Sequence, residues 1–399
     1  MLLLQNQLNS VTVIVIFWIA VFLLFHSYIL YPFILWLLSV KREPRQKKFS
    51  RDEELPFVSI IMAAYNEESV IGQKIESIFQ TNYPADRIEL LVGSDCSTDA
   101  TNSIVNHMKD KYGTITFLEF TQRQGKANIM NQLLDLTKGE IIISTDANVL
   151  LTPTTIYDMV KYFKDEEIGL VDSRMMNTGL KKQGISIQES TYISREVKIK
   201  YLEGLIWGSM MGPFGGCFAI RKSCYCKVPK NFFMDDFYIN MKVIEKGKKT
   251  INSLEAIVYE DVSNKLTEEF RRKVRISIGN FQNLVEFYRL LWPPYKGIAF
   301  AFLSHKVLRW IGPFFLLLSL ITSIILSFQS QFFQVILAVQ LFLYLFPLFD
   351  ILLGLINVHL LVLRFATHFF SMNFALLLGL IKFLKGVSSN VWQPTQRNQ

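Results

Sequence analysis

From Val11 to Leu38 the chain runs almost wholly apolar with no formal charge, and no other feature constrains the fold as strongly. The run exceeds the roughly 20 residues that an α-helix needs to cross a bilayer. It is too long for a signal-peptide core, no basic region precedes it and no small-residue cleavage pattern follows it, so a retained anchor is expected. Pro32 should kink this helix or divide it from an interfacial turn. Lys41, Arg42, Arg45, Lys47, Lys48 and Arg51 crowd just after it, the flank expected on the cytoplasmic side of an anchor; the other reading of these charges is a solvated linker. Half of the 399 residues are hydrophobic, as in an integral membrane protein. The basic flank accounts for much of the net charge of +8 without nucleic acid as a partner.

The character changes near Leu55. Short β-branched runs at Phe57–Met62, Glu89–Gly93, Ile115–Phe120, Glu140–Ser144 and Gly169–Asp172 alternate with helical patterns at Val70–Gln80, Ala100–Lys111, Lys126–Thr137 and Pro153–Phe163. Such alternation predicts an α/β domain with a mostly parallel sheet covered on both faces. The division expected is an anchor over 1–40, a basic linker over 41–55, the α/β domain over 56–265, amphipathic helices over 266–309, and a second membrane region with a tail over 310–399. In that last region Trp310–Phe328 and Phe332–Phe349 read as spans, and Phe365–Leu384 as a third that spans, re-enters or lies flat. The segment 267–291 interleaves Arg and Lys with apolar residues, with Phe270, Val274, Ile278, Phe281 and Val285 on one face, and either lies on lipid or seals one side of a pocket. Four cysteines without a CxxC pair support neither zinc nor a disulfide frame.

Open α/β sheets bind ligands at the carboxyl ends of their strands, and polar residues gather there. Tyr65, Asn66 and Glu67 follow the first strand, and Asp95, Ser97 and Asp99 the second, offering carboxylates and amides to a nucleotide; for Asp99, helix capping is the favoured role. Gly125 and Lys126 open a helix where amides and an ammonium meet an anion. Asp146 and Asn148 straddle Ala147 after a buried strand, a spacing at which oxygen ligands meet one hard divalent cation and the phosphates it bridges; a turn role is the alternative. Asp235 and Asp236 begin a further helix, either to complement its dipole or to supply a general base.

Taken in order, these motifs resemble the processive-type family 2 glycosyltransferases, whose members include chitin, hyaluronan, cellulose and poly-N-acetylglucosamine synthases. The resemblance spans about Phe57 to Ile276 and implies a GT-A-type nucleotide-sugar domain flanked by transmembrane helices, with the catalytic domain cytoplasmic. It further implies that Ala64, Tyr65, Glu67 and Asp95 contact the uridine of a UDP-sugar, with Lys126 nearby. Asp146 takes the first place of the family's DxD and, with Asn148, would hold Mg²⁺ or Mn²⁺. Asp236 matches the catalytic base, Asp235 stands where Glu is usual, and Gly215 and Gly216 fall in the acceptor loop. The family's QxxRW is replaced by Arg272, Lys273, Val274, Arg275 and Ile276, which keeps the arginine and loses Gln and Trp, and Asn148 replaces the second Asp of DxD. The expected activity is inverting sugar transfer to a saccharide, with membrane lipid around the helices and an export partner left open. Single transfer to a lipid or lipid-linked acceptor is one alternative, and a sugar-nucleotide-binding subunit without catalysis is another.

Overall fold

A computed structural model describes residues 2–180, 185–261 and 265–387; the terminal VWQPTQR motif lies outside them. The chain opens with α1 (Leu2–Phe25) and α2 (Tyr31–Ser39), joined by a π-helical turn over His26–Leu30. Pro32 falls in the first turn of α2, where its missing N–H costs least.

The α/β domain then follows as β1 (Val58–Ala64), α3 (Ile71–Phe79), β2 (Ile88–Ser94), α4 (Thr101–Tyr112), β3 (Ile115–Glu119), α5 (Lys126–Leu136), β4 (Ile141–Thr145), β5 (Val149–Leu151), α6 (Thr155–Val160), β6 (Ile168–Thr178), α7 (Ser186–Trp207), β7 (Cys217–Arg221), α8 (Asp235–Glu245) and β8 (Lys249–Asp261). The strands form one sheet in the order β3-β2-β1-β4-β7-β6-β8-β5. The sheet is mixed and mostly parallel: β1 pairs in parallel with β2 and β4, β2 with β3, and β6 with β8. Every residue of β1, β2 and β4 is buried, as strands covered on both faces require. Antiparallel β7 lies between β4 and β6, and antiparallel β5 extends the far edge beside β8. This GT-A-like arrangement points β1, β2 and β4 the same way, so their carboxyl ends share one rim.

The remaining helices are α9 (Leu266–Phe287), α10 (Gly297–Ala301), α11 (Leu308–Trp310), α12 (Gly312–Ser327), α13 (Gln331–Tyr344), α14 (Phe346–Leu355) and α15 (Leu361–Leu384). Among the described residues three helical stretches are long and apolar enough to cross a membrane: Ser10–Ser39, Gln331–Leu355 and Leu361–Leu384. Helix α12 occupies most of the stretch Trp310–Phe328 that the sequence suggested as a span, and the chain bends by 63° at its start, between Gly297–Trp310 and Gly312–Ser327. Pro313 in the first turn of α12 has no N–H to continue a hydrogen-bond ladder, which places the break at Ile311.

On α9, Val274, Ile278 and Phe281 are buried, whereas Val285 is 63 % exposed and lies off the apolar face. That face packs on α15 at a close crossing. Ser277 Oγ donates to Leu376 O at 2.8 Å, and a Cβ added to Gly379 would sit 2.2 Å from Ser277 Cβ and 2.9 Å from Val274 O. The carbonyl is backbone, so α9 itself must move if residue 379 gains a side chain. Gly379→Leu is expected to lower stability by about 1–3 kcal/mol, read as a drop in detergent melting temperature; an unchanged melt would mean that the helices do not cross this closely.

Candidate active site

Loops at the sheet rim and one face of α9 enclose a cleft of about 210 Å³ lined by Glu67, Lys126, Asp146, Asn148, Asp235, Asp236, Gly215, Arg272, Arg275 and Ile276, among others. The lysine organises it. Lys126, the first residue of α5, places Nζ 2.7 Å from Asp146 Oδ1 and 3.8 Å from Asp235 Oδ2. Burial opposes its charge, but Asp146, Asp235 and Asp236 together raise its pKa. The acidic groups separated by some ninety residues in sequence thus meet at one ammonium.

Asp236 sits in the first turn of α8 and is 7 % exposed. Burial first, and then the charge of Asp235, push its carboxyl up to about 7. Gly215 approaches it from the facing loop with φ +78°, and a Cβ there would lie 2.6 Å from Asp236 Oδ2. Only glycine meets both demands cheaply. The neighbouring Phe214 ring lies under the buried Lys200 ammonium, 3.6 Å from its centroid, and Lys200 is itself paired with Asp172 at 2.6 Å.

The first two rim loops are tied together. Asp95 is fully buried and its carboxylate accepts from Arg123 Nε at 3.0 Å and from the amides of Gln124 and Gly125 at 2.6 and 3.2 Å. The Arg123 guanidinium lies 3.3 Å over the Tyr65 ring. Asp95 therefore braces the loop that presents Lys126, and it does not itself line the cleft. Ala64 is buried in the core, and Ala63 is the β1 residue at the cleft. Gly216 is likewise part of the support: its carbonyl accepts from Asp146 N at 2.9 Å and Thr145 Oγ1 at 3.0 Å. Asp99 caps the neighbouring turn, accepting from Thr101 N at 3.0 Å and Glu68 N at 3.1 Å.

Several contributors carry no signal in the sequence. Buried Lys74 on α3 donates to Thr145 Oγ1 at 2.8 Å and to Val149 O, supporting the Asp146 loop from beneath; burial lowers its pKa to about 8. Phe232, Phe233 and Met234 form an apolar wall. Glu260, at the end of β8, accepts from Asn148 Nδ2 at 3.0 Å. On α9, Arg272 and Arg275 face the cleft, while Lys273 turns away to Glu189 at 2.9 Å. The charge of Glu269 raises the pKa of Arg272; burial and then Arg272 lower that of Arg275. Thus α9 closes one side of the cleft.

Asp146 and Asn148 offer hard oxygen donors two residues apart on this wall, chemistry suited to Mg²⁺ or Mn²⁺. Among the described residues no three His, Cys, Asp or Glu side chains are gathered to hold a metal by themselves. A cation here needs further oxygens from its ligand.

Residues 59–227 match the family model described as Glycosyl transferase family 2. Over that stretch the chain is similar to the family 2 glycosyl transferases. It is 34 % identical over 133 residues to a beta-monoglucosyldiacylglycerol synthase of Nostoc, covering 33 % of this chain and 28 % of that protein. A probable glycosyltransferase of Bacillus subtilis is 25 % identical over 256 residues, 60 % of this chain and 59 % of its own. A poly-beta-1,6-N-acetyl-D-glucosamine synthase of Staphylococcus aureus is 26 % identical over 120 residues, 30 % of this chain and 28 % of its own. The matches thus cover between about a quarter and three fifths of these relatives. In fold, the chain is similar to a mannosyltransferase from Pyrobaculum calidifontis solved with GDP-Man and Mn²⁺, at a TM-score of 0.70 and 22 % identity, over 92 % of this chain and 99 % of that one. The shared architecture therefore includes flanking helices as well as the sheet.

The Asp236 environment has a consequence for folding. A carboxyl whose pKa rises from 3.8 to about 7 on folding contributes stability that is full below pH 4 and is lost as pH rises through 7. Asp236→Asn cannot ionise, so its stability relative to the parent should increase across that window by at most about 1.4 kcal/mol per pH unit. Melting curves of both proteins between pH 4.5 and 8 check this; a constant difference would mean that Asp236 titrates normally.

Proposed function

We propose that the protein is an inverting glycosyltransferase that moves a sugar from a UDP-sugar to an acceptor hydroxyl at the cytoplasmic face of a membrane. The observation that carries this reading is Asp236: a buried carboxylate with a pKa near neutrality, facing a cleft whose far wall carries Lys126 and Asp146. A base whose pKa lies near the working pH combines availability with driving force. Asp236 takes the proton from the attacking hydroxyl, and the Gly215 loop bounds the space beside it. Lys126, Arg272 and Arg275 meet the diphosphate and offset the charge growing on the leaving nucleotide.

Asp146 and Asn148 are the residues proposed to hold a divalent cation, which when bound supplies further charge compensation at the diphosphate. Asp95 acts in donor binding through the loop it braces, and Tyr65 and Glu67 lie on the nucleotide side. We read the three apolar helices, and the bent pair with them, as membrane spans; outward-facing Phe342, Ile351 and Leu355 suit lipid rather than water.

A second reading within the same chemistry concerns the acceptor. Ile276 occupies the place of the Trp in QxxRW, and it shares the cleft with Phe232, Phe233 and Met234. That apolar wall favours a lipid or lipid-linked hydroxyl over a long saccharide chain. The Nostoc relative, named for a glycolipid product, is in keeping with it.

UDP release from a panel of UDP-sugars by the detergent-purified protein tests the main reading. Release with one donor is expected to fall about 10²–10⁴-fold in Asp236→Asn while UDP binding persists. The parent rate is expected to decline on acidification through pH about 7, because the base must be ionised. Near-normal transfer by Asp236→Asn would remove it from the role of base. Product analysis then separates the acceptors: a ladder indicates polymer, and a single organic-extractable product indicates lipid.

A further inference from the structure

We infer that Glu260 completes the cation site begun by Asp146 and Asn148, fixing the Asn148 amide and restoring the negative charge that an asparagine lacks at that position. The inference rests on the proposed use of a divalent cation and concerns how this chain, in particular, holds it.

The pairing of β5 with β8 creates the contact. Val149 is in register with Glu260 across an antiparallel pair, which brings the turn that carries Asn148 to the end of β8. Asn148 is 5 % exposed, and its Nδ2 donates to Glu260 Oε1 at 3.0 Å. An amide has its donor and acceptor on opposite branches, so committing the nitrogen to Glu260 turns the oxygen the other way. Asp146, Asn148 and Glu260 all line the same cleft. Asn148 Oδ1 is thereby held as a neutral oxygen ligand for an ion at Asp146. The hydrogen bond from the amide to a carboxylate is charge-assisted, and a carboxylate behind a ligand both orients it and raises its basicity.

Charge leads to the same place. Asp146 with Asn148 presents one negative charge, whereas two aspartates would present two. Glu260 supplies the second through the amide, from a strand 112 residues away in sequence. The competing role for Glu260 is electrostatic support of Arg272, whose pKa it also helps to raise. The test must separate the two.

Mn²⁺ binding to the full-length protein in detergent, measured by electron paramagnetic resonance with saturating UDP and in parallel with GDP, does so without relying on turnover. Glu260→Gln should weaken Mn²⁺ binding about 10- to 100-fold. Asn148→Asp alone should bring no gain, because it sets two carboxylates side by side. The double exchange Asn148→Asp with Glu260→Gln keeps both the charge and a hydrogen bond, donor and acceptor having traded places, and should return Mn²⁺ affinity to within about threefold of the parent. Melting curves and metal-free nucleotide binding report whether each variant folds. The inference is overturned if Glu260→Gln binds Mn²⁺ as the parent does, or if the double exchange stays as weak as Glu260→Gln, which is the outcome expected of support through Arg272. A parent that binds no Mn²⁺ with either nucleotide would instead remove the cation reading itself, and this inference with it.

Discussion

The Lys126 ammonium is the charge on which the cleft depends. Asp146, Asp235 and Asp236 converge from segments some ninety residues apart in sequence, and like charges this close repel. One cation at 2.7 Å from the first and 3.8 Å from the second offsets that repulsion, while burial and then the charge of Asp235 push the Asp236 carboxyl up to about 7. Its position is set in turn by Asp95, which spends its whole carboxylate on Arg123 and two backbone amides of the preceding loop. On the proposed reading, a diphosphate entering the cleft would compete with Asp146 for this ammonium, linking ligand binding to the charge balance around Asp236.

The cleft is joined to the apolar helices through a buried polar seam. Tyr31 on α2 donates to Glu203 Oε1 at 2.7 Å, and the other oxygen of Glu203 accepts from Met211 N at 2.9 Å. His305 lies between Glu203 and Glu196 at 2.8 and 2.9 Å, and Arg309 also reaches Glu196. Buried ionic groups bring little net stability, but removing one partner strands the rest. Their value here is positional. Met211 begins the turn that leads through Phe214 to Gly215, so a seam anchored on α2 and on the turn before α11 fixes the loop that abuts Asp236.

Much of this was legible in the sequence, and what was not shares a physical reason. Continuous apolar runs gave β1, β2 and β4 nearly to the residue, since parallel strands buried on both faces need no partner to be recognised. The loops after them carried their polar residues in short, ordered motifs. The strands β5, β7 and β8 and the long helix α7 escaped, because β5 has only three residues and α7 alternates charge with apolar groups over 22 residues. Glu260 and Lys74 act across β-pairings and sheet faces rather than along the chain, and no spacing rule reaches them. Asp95 and Gly216 lie in loops the sequence singled out, and their side chain and carbonyl hold those loops in place.

Helix α9 shows why a degenerate motif can still be structurally definite. Arg272, Arg275 and Ile276 stand three and four residues apart and so share one face, which is the face turned to the cleft. Lys273 points the other way, between Glu189 and Glu269 at 2.9 and 3.2 Å, and Glu189 also binds His368 on α15 at 3.1 Å. On a third side Gln282 holds the 231–233 segment, accepting from Phe233 N at 3.0 Å and donating to Asn231 O at 2.9 Å. A helix clamped by α7, α15 and the segment before Asp235 cannot roll, so its two arginines are pre-organised toward the acidic rim. What has changed from the QxxRW pattern is the surface beside them: an aliphatic side chain at Ile276 stands where an indole would offer a stacking face for a sugar. An isoleucine has no flat π surface and no N–H to offer a sugar ring, whereas it packs readily against an alkyl chain. The helix therefore keeps the arginine of the motif and exchanges its aromatic residue for an aliphatic one.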